Sequence, residues 1–130
     1  MNYVDSFTGI TIIGLGPGNI DLITKQTWEF LNQLDVIYLR TAQHPAVGGF
    51  PKNLHIISFD EYYQKFNDFD EVYEKIVDTI LEKAREGKSI TYAVPGHPFV
   101  AESTSPKICQ RANQSGIPVR VFEAVSFLEP

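Results

Sequence analysis

Ile10-Thr11-Ile12-Ile13-Gly14-Leu15-Gly16-Pro17-Gly18-Asn19-Ile20-Asp21-Leu22-Ile23-Thr24 is the stretch from which the rest of the chain is read. Its β-branched opening predicts a buried strand, and the glycine-proline run after it predicts a tight turn. Thr24 has the hydroxyl of a helix N-cap. It precedes a helix whose apolar stripe is expected to comprise Trp28, Leu31 and Leu34. Strand, turn and helix together are the first half of a βαβ unit.

The same alternation continues outward. Asp35 to Leu39 predicts a second strand, and 41–52 a loop broken by Pro45, Gly48, Gly49 and Pro51. Leu54 to Ile57 predicts a third strand. From about Asp70 to Glu86, Val72, Tyr73, Ile76, Val77, Ile80, Leu81 and Ala84 fall on one face of a helix. Glu71, Glu74 and Asp78 fall on the other, expected to be solvated with Glu71 paired to Lys75, and Gly87 is the expected terminator. Ser89 to Val94 predicts a fourth strand. Ser105 and Pro106 read as N-cap and first residue of a helix that Ser115-Gly116 ends. Pro118 to Phe122 predicts a fifth strand. The fold class is therefore α/β, a mainly parallel five-stranded sheet with helices on both faces.

In such a sheet ligands bind beyond the carboxyl ends of the strands. The loops 14–19, 40–45, 95–102 and 123–127 all follow predicted strands, so they are expected to converge on one edge.

Composition narrows the function classes. The chain has 130 residues, 43% of them hydrophobic and 21% charged, which is the composition of a folded globular domain. Its net charge of −5 and scattered Lys and Arg predict no nucleic-acid partner, because phosphate contacts need clustered cations. No apolar run reaches the roughly 20 residues of a membrane helix, so no membrane partner is expected. The single cysteine, Cys109, allows no internal disulfide and fits a cytoplasmic protein.

Gly14-Leu15-Gly16-Pro17-Gly18 is not a dinucleotide fingerprint: the third glycine of G-x-G-x-x-G would stand at Asn19, and Pro17 removes an amide that a phosphate-cradling turn would use. It is either a tight strand-to-helix turn or a ligand loop. Pro95-Gly96-His97-Pro98 is a rigid turn with a bare backbone that a ligand can approach closely. His97 in it is either a ligand contact or a turn histidine hydrogen-bonded to backbone. No Cys/His/carboxylate spacing resembles a metal site, and no G-x-S-x-G elbow is present, so neither a metal nor a catalytic nucleophile is assigned.

Taken in order, these motifs resemble one family, the tetrapyrrole (corrin/porphyrin) methylases. Thr11 to Thr24 is similar to its opening strand, G-x-G-P-G loop and D-L-[IL]-T helix start, and Asp35-Val36-Ile37-Tyr38 to its second strand. Val94-Pro95-Gly96-His97-Pro98 occupies the place of its G-D-P loop, with His97 where the family has aspartate. Glu123-Ala124-Val125-Ser126-Phe127 occupies the place of its P-G-[IV]-S segment, with Glu123-Ala124 for Pro-Gly. Arg40-Thr41-Ala42-Gln43-His44-Pro45, Phe59 to Tyr63 and Pro95 to Glu102 further resemble the branch fused to a MazG-type nucleotide pyrophosphohydrolase.

The resemblance implies methyl transfer from the cofactor S-adenosylmethionine to a tetrapyrrole-like or other bulky small-molecule acceptor. It implies two α/β domains with the cofactor between them, residues 1–130 being the N-terminal one. The second has no counterpart in this sequence, so the 130-residue chain alone is expected to be inactive and prone to self-association, with a homodimer as one form. Pro95, Gly96, His97, Phe99, Val100, Val125, Ser126 and Phe127 are the implied cofactor contacts. Gly14, Gly16, Pro17, Gly18, Arg40 and His44 are the implied acceptor contacts. The alternative is a non-catalytic ligand-binding or regulatory module of a MazG-type fusion.

Overall fold

Five parallel strands in the order β3-β2-β4-β1-β5 form the sheet of the computed structural model, which describes residues 7–99 and 102–122. The strands are β1 (Ile10–Gly14), β2 (Val36–Leu39), β3 (His55–Ser58), β4 (Ile90–Val94) and β5 (Val119–Phe122). The helices are α1 (Lys25–Leu31), α2 (Asp60–Lys65), α3 (Phe69–Arg85) and α4 (Thr104–Gln114), with short 3₁₀ turns at Ile20–Leu22 and Pro45–Gly49. The register sets Ile10 beside Ile90 and Val119, and Tyr38 beside Tyr92. No helix among the described residues is long and apolar enough to cross a membrane.

The two-residue period of a strand sorts the core into two layers. Ile10, Ile12, Ile90, Tyr92 and Val94 pack against Ile76 and Ile80 of α3 and Ile108 of α4. Ile13, Ile37, Leu39 and Ala93 point the other way, onto Phe30 and Leu31 of α1. Both faces of β1 and β4 are buried, which is why those strands read as nearly unbroken apolar runs. The expected α/β architecture, with helices on both faces, is what the chain adopts.

Three local expectations are corrected. In α1 Leu31 is buried and Leu34 packs against the same layer, as expected, but Trp28 is 39% exposed and Thr27 and Phe30 are buried with Leu31, because the sheet lies to that side of the helix. Helix α4 begins at Thr104 and not at Pro106, and its flanking Ser103 makes no side-chain cap. Pro106 then sits at the third position, where a missing N–H still leaves no intrahelical bond unmade. Finally, Glu74 and Asp78 are not merely solvated. Glu74 pairs with Lys107 at 3.0 Å and with Arg111, and Asp78 pairs with Arg111 at 3.0 Å, tying α3 to α4. The carboxylate of Glu71 turns back to accept from the Asn67 N–H, and Lys75 lies over the Phe66 ring.

Candidate functional site

The sheet order makes β1 and β4 neighbours whose onward connections leave in opposite directions, β1 toward β2 and β4 toward β5. Their carboxyl ends therefore frame the point at which an open α/β sheet binds ligands. The loops there are joined. Leu15 N–H donates to Val94 O at 2.9 Å, and Gly16 and Gly96 each donate an N–H to the other's carbonyl at 3.1 Å. Both glycines take left-handed backbone, φ 74° and 66°, which a side chain disfavours. Among the described residues, a Cβ placed on Gly96 would meet nothing within 4 Å.

The loop after β2 is fastened to this pair by His44. Its Nδ1 accepts the Ala46 N–H at 3.0 Å, so Nε2 carries the proton and donates to Gly16 O at 2.8 Å. Asp60, at the start of α2, holds the same loop by accepting from Thr41 Oγ1 at 2.6 Å and from the Ala42 N–H at 3.0 Å. Burial pushes the Asp60 pKa up, but these bonds and one to Ser58 outweigh it and leave the carboxyl below its ordinary range.

Arg40 joins the third side. Its N–H donates to Ala93 O at 3.1 Å, and its guanidinium pairs with Glu102, whose side chain is 1% exposed. The other Glu102 oxygen accepts from the Thr104 N–H and Thr104 Oγ1 at 2.6 Å and from the Ser105 N–H at 3.0 Å. Glu102 thus caps α4, where a negative charge meets the unpaired amides of the first turn. Beneath it the buried Tyr92 hydroxyl lies 2.8 Å from Thr104 Oγ1. Burial raises the Tyr92 pKa well above the ordinary phenol value, so this group stays neutral. Among the described residues Arg40 Nε and Ser105 Oγ are buried without a hydrogen-bond partner.

The structure therefore brings Gly14, Gly16, Pro17, Gly18, Arg40, His44, Pro95, Gly96, His97 and Phe99 to one edge of the sheet. Val100, Val125, Ser126 and Phe127 lie outside the described residues. His97 uses Nδ1 to accept the Phe99 N–H at 3.1 Å, the local bond of a turn histidine, while Nε2 has no partner among the described residues. Phe99 is 47% exposed. An open left-handed glycine beside an exposed aromatic ring suits a nucleoside-bearing ligand, which needs main-chain contacts and a flat apolar surface. Glu102 and Asp60 are the polar residues holding this edge together to which motif reading gave no role.

A cavity of about 490 Å³ lies elsewhere, at the amino-terminal edge of the sheet, lined by Phe7, Thr11, Phe30, Asp35, Ser89 and Arg120 among others. Arg120 there donates to Thr11 Oγ1 at 2.8 Å and stacks over Phe7 and Phe30. Its lining residues lie apart from the loops that the strand order brings together.

An open parallel sheet with its loops knitted together at the carboxyl edge defines a doubly wound α/β domain of the ligand-binding class. Residues 9–129 match the Tetrapyrrole (Corrin/Porphyrin) Methylases, and the chain belongs to that family, whose members use S-adenosylmethionine. It is 40% identical over 121 residues to the uncharacterized protein YabN of Bacillus subtilis (strain 168), covering 92% of this chain and 24% of that one. It is 34% identical over 93 residues to the porphyrin biosynthesis protein HemD of Ruminiclostridium josui, covering 70% of this chain and 18% of that one. The fold matches the uroporphyrin-III-C-methyltransferase of Thermus thermophilus with a TM-score of 0.67 at 22% identity, over 91% of this chain and 48% of that one. The chain thus spans a quarter or less of these curated relatives and about half of the solved structure.

Proposed function

We propose that this chain is the N-terminal, ligand-binding domain of an S-adenosylmethionine-dependent methyltransferase that acts on a tetrapyrrole-like or other bulky acceptor. The observation that carries the proposal is the family match over residues 9–129, together with the joining of the β1, β2 and β4 loops at one edge. When bound, S-adenosylmethionine supplies a methyl group already activated by its sulfonium, so positioning is the main task left to protein. Pro95, Gly96, His97, Phe99, Val100 and the Val125-Ser126-Phe127 segment would hold the cofactor, largely through main-chain groups. Gly14, Gly16, Pro17 and Gly18 would line the acceptor trough, with Arg40 and His44 at its rim. A second domain, facing this edge, would complete the cleft.

A second reading is a ligand-binding module without methyl transfer in a fusion of the MazG type. It is favoured by the commitment of both His44 ring nitrogens to hydrogen bonds within the domain, which leaves the imidazole no free nitrogen to accept a proton from an acceptor. Isothermal titration of S-adenosylmethionine and its demethylated product into the full-length protein that carries this chain tests both. Micromolar binding followed by transfer of a labelled methyl group supports the first reading. Binding without transfer to any tetrapyrrole supports the second, and no binding removes the first.

A further inference from the structure

The Pro95 to Phe99 loop is held at both ends by one residue of another strand. Arg40 takes the entry through its main chain, donating to Ala93 O at 3.1 Å, and the exit through its side chain, by pairing with Glu102. Between these anchors the Gly16–Gly96 bonds fix the loop at a third point.

The chemistry of the pair is unlike that of an ordinary surface bridge. The Glu102 carboxylate is almost wholly buried, and the Arg40 side chain is 20% exposed. Desolvating two charges offsets much of their attraction, so a buried pair is poor evidence of stability for its own sake. What it supplies is geometry, since both partners are fixed: Glu102 by the α4 amides and Arg40 by β4. Neither can shift without breaking bonds that tie it to β4 or to the start of α4.

We infer that Arg40 and Glu102 form a buried staple that sets the conformation of the Pro95 to Phe99 loop, making both positioning residues for whatever binds on that loop. As applied to the methyl donor, this rests on the function proposed above. It reassigns Arg40 from contacting the acceptor to shaping the donor site. The requirement is for a charged, forked donor reaching a capped carboxylate, so lysine, a point charge, replaces arginine only in part.

The test uses the full-length protein and the variants Glu102→Gln, Arg40→Gln, their double combination, and Arg40→Lys. Glutamine at 102 keeps an acceptor for α4 and removes the charge facing Arg40; the double variant leaves no buried charge at all. Hydrogen exchange reads the staple directly. Protection of the Gly96 and Phe99 amides is expected to fall at least tenfold in both single variants and the double variant, relative to Ile76 and Ile80 in α3. Affinity for S-adenosylhomocysteine is expected to fall about tenfold in each single glutamine variant, no further in the double, and to be only partly kept in Arg40→Lys. Unchanged relative protection of Gly96 and Phe99, or losses that add in the double variant, would overturn the staple. If the parent protein binds no S-adenosylhomocysteine, the methyltransferase reading fails, and the exchange data still decide the staple.

Discussion

Gly16 and Gly96 hydrogen-bond to each other in both directions at 3.1 Å, each with left-handed backbone, directly beyond the carboxyl ends of β1 and β4. The parallel ladder stops at Gly14 and Val94, and this pair closes the gap that the diverging loops would otherwise leave. His44 attaches to the same Gly16 carbonyl, so three loops share one hydrogen-bonded node. A ligand arriving here meets backbone that is already ordered, which lowers the entropy lost on binding.

The first prediction concerns Gly96. Open space around its Cβ position means that alanine meets no clash, and only the positive φ opposes the substitution. Gly96→Ala is expected to lower stability by about 1–2 kcal/mol. Gly96→Asn is expected to cost less, because asparagine tolerates left-handed backbone. Urea unfolding measures both, and equal losses for the two would show that the left-handed conformation is not what the site requires.

A second prediction follows from Asp60. Its folded pKa lies below the ordinary aspartate value of about 3.9, so its hydrogen bonds stabilise the fold fully above that value. The contribution disappears as pH falls through the lower, folded pKa. Asp60→Asn is therefore expected to flatten the acid side of the stability–pH curve below about pH 4. It leaves the slope near neutral pH unchanged. Thermal melts between pH 2 and 7 make the comparison, and an unaltered acid limb in the variant refutes the assignment.

The uneven legibility of the sequence has physical causes visible in particular residues. β1 was readable as an unbroken apolar run and α3 by its single dominant period: the buried residues Val72, Ile76, Val77, Ile80, Leu81 and Ala84 all lie on the face predicted from spacing, on which Tyr73 is only partly buried. α1 offered two stripes, and only the position of the sheet decides between Trp28 and Phe30. The strand order depends on crossover directions that no local pattern encodes. The edge that gathers the motifs was nonetheless legible, since every notable loop follows a strand. The roles of its polar residues were not. Glu102 stood beside Ser103 and Ser105, each a more familiar cap, and its task is set by Arg40, 62 positions away. For His44 the resemblance implied only an acceptor contact, and the bonds of its ring to Ala46 N and Gly16 O depend on a partner loop 28 positions away.

The α3–α4 contact gives a third prediction. Glu74 is held below the ordinary glutamate range first by its bond from Arg111, then by that from Lys107. These side chains are more than a third exposed, so solvent screens the cluster and a coupling of only about 0.2–1 kcal/mol is expected. A double-mutant cycle over Glu74→Gln and Arg111→Gln measures it, first in dilute buffer and again in 1 M sodium chloride. The coupling is expected to shrink at high salt; one that persists undiminished would mean that the cluster is not screened as its exposure implies.

The last prediction separates the two bonds of His44. His44→Ala removes both, leaving the Ala46 amide and the Gly16 carbonyl without their partner. A loss of about 1–3 kcal/mol is expected for groups left unsatisfied in a half-buried site. Asparagine presents its side-chain oxygen where Nδ1 lies and can still accept from Ala46, but it is too short to reach Gly16. His44→Asn is therefore expected to recover part of the stability while leaving the Gly16–Gly96 node unsupported. Thermal melts give the stability order parent, asparagine, alanine, and hydrogen exchange at Gly96 reports the node itself. If both variants fall equally in stability, the cap to Ala46 contributes nothing. If exchange at Gly96 is unchanged in both, the bond to Gly16 does not brace the loops, and His44 becomes available to contact the acceptor directly.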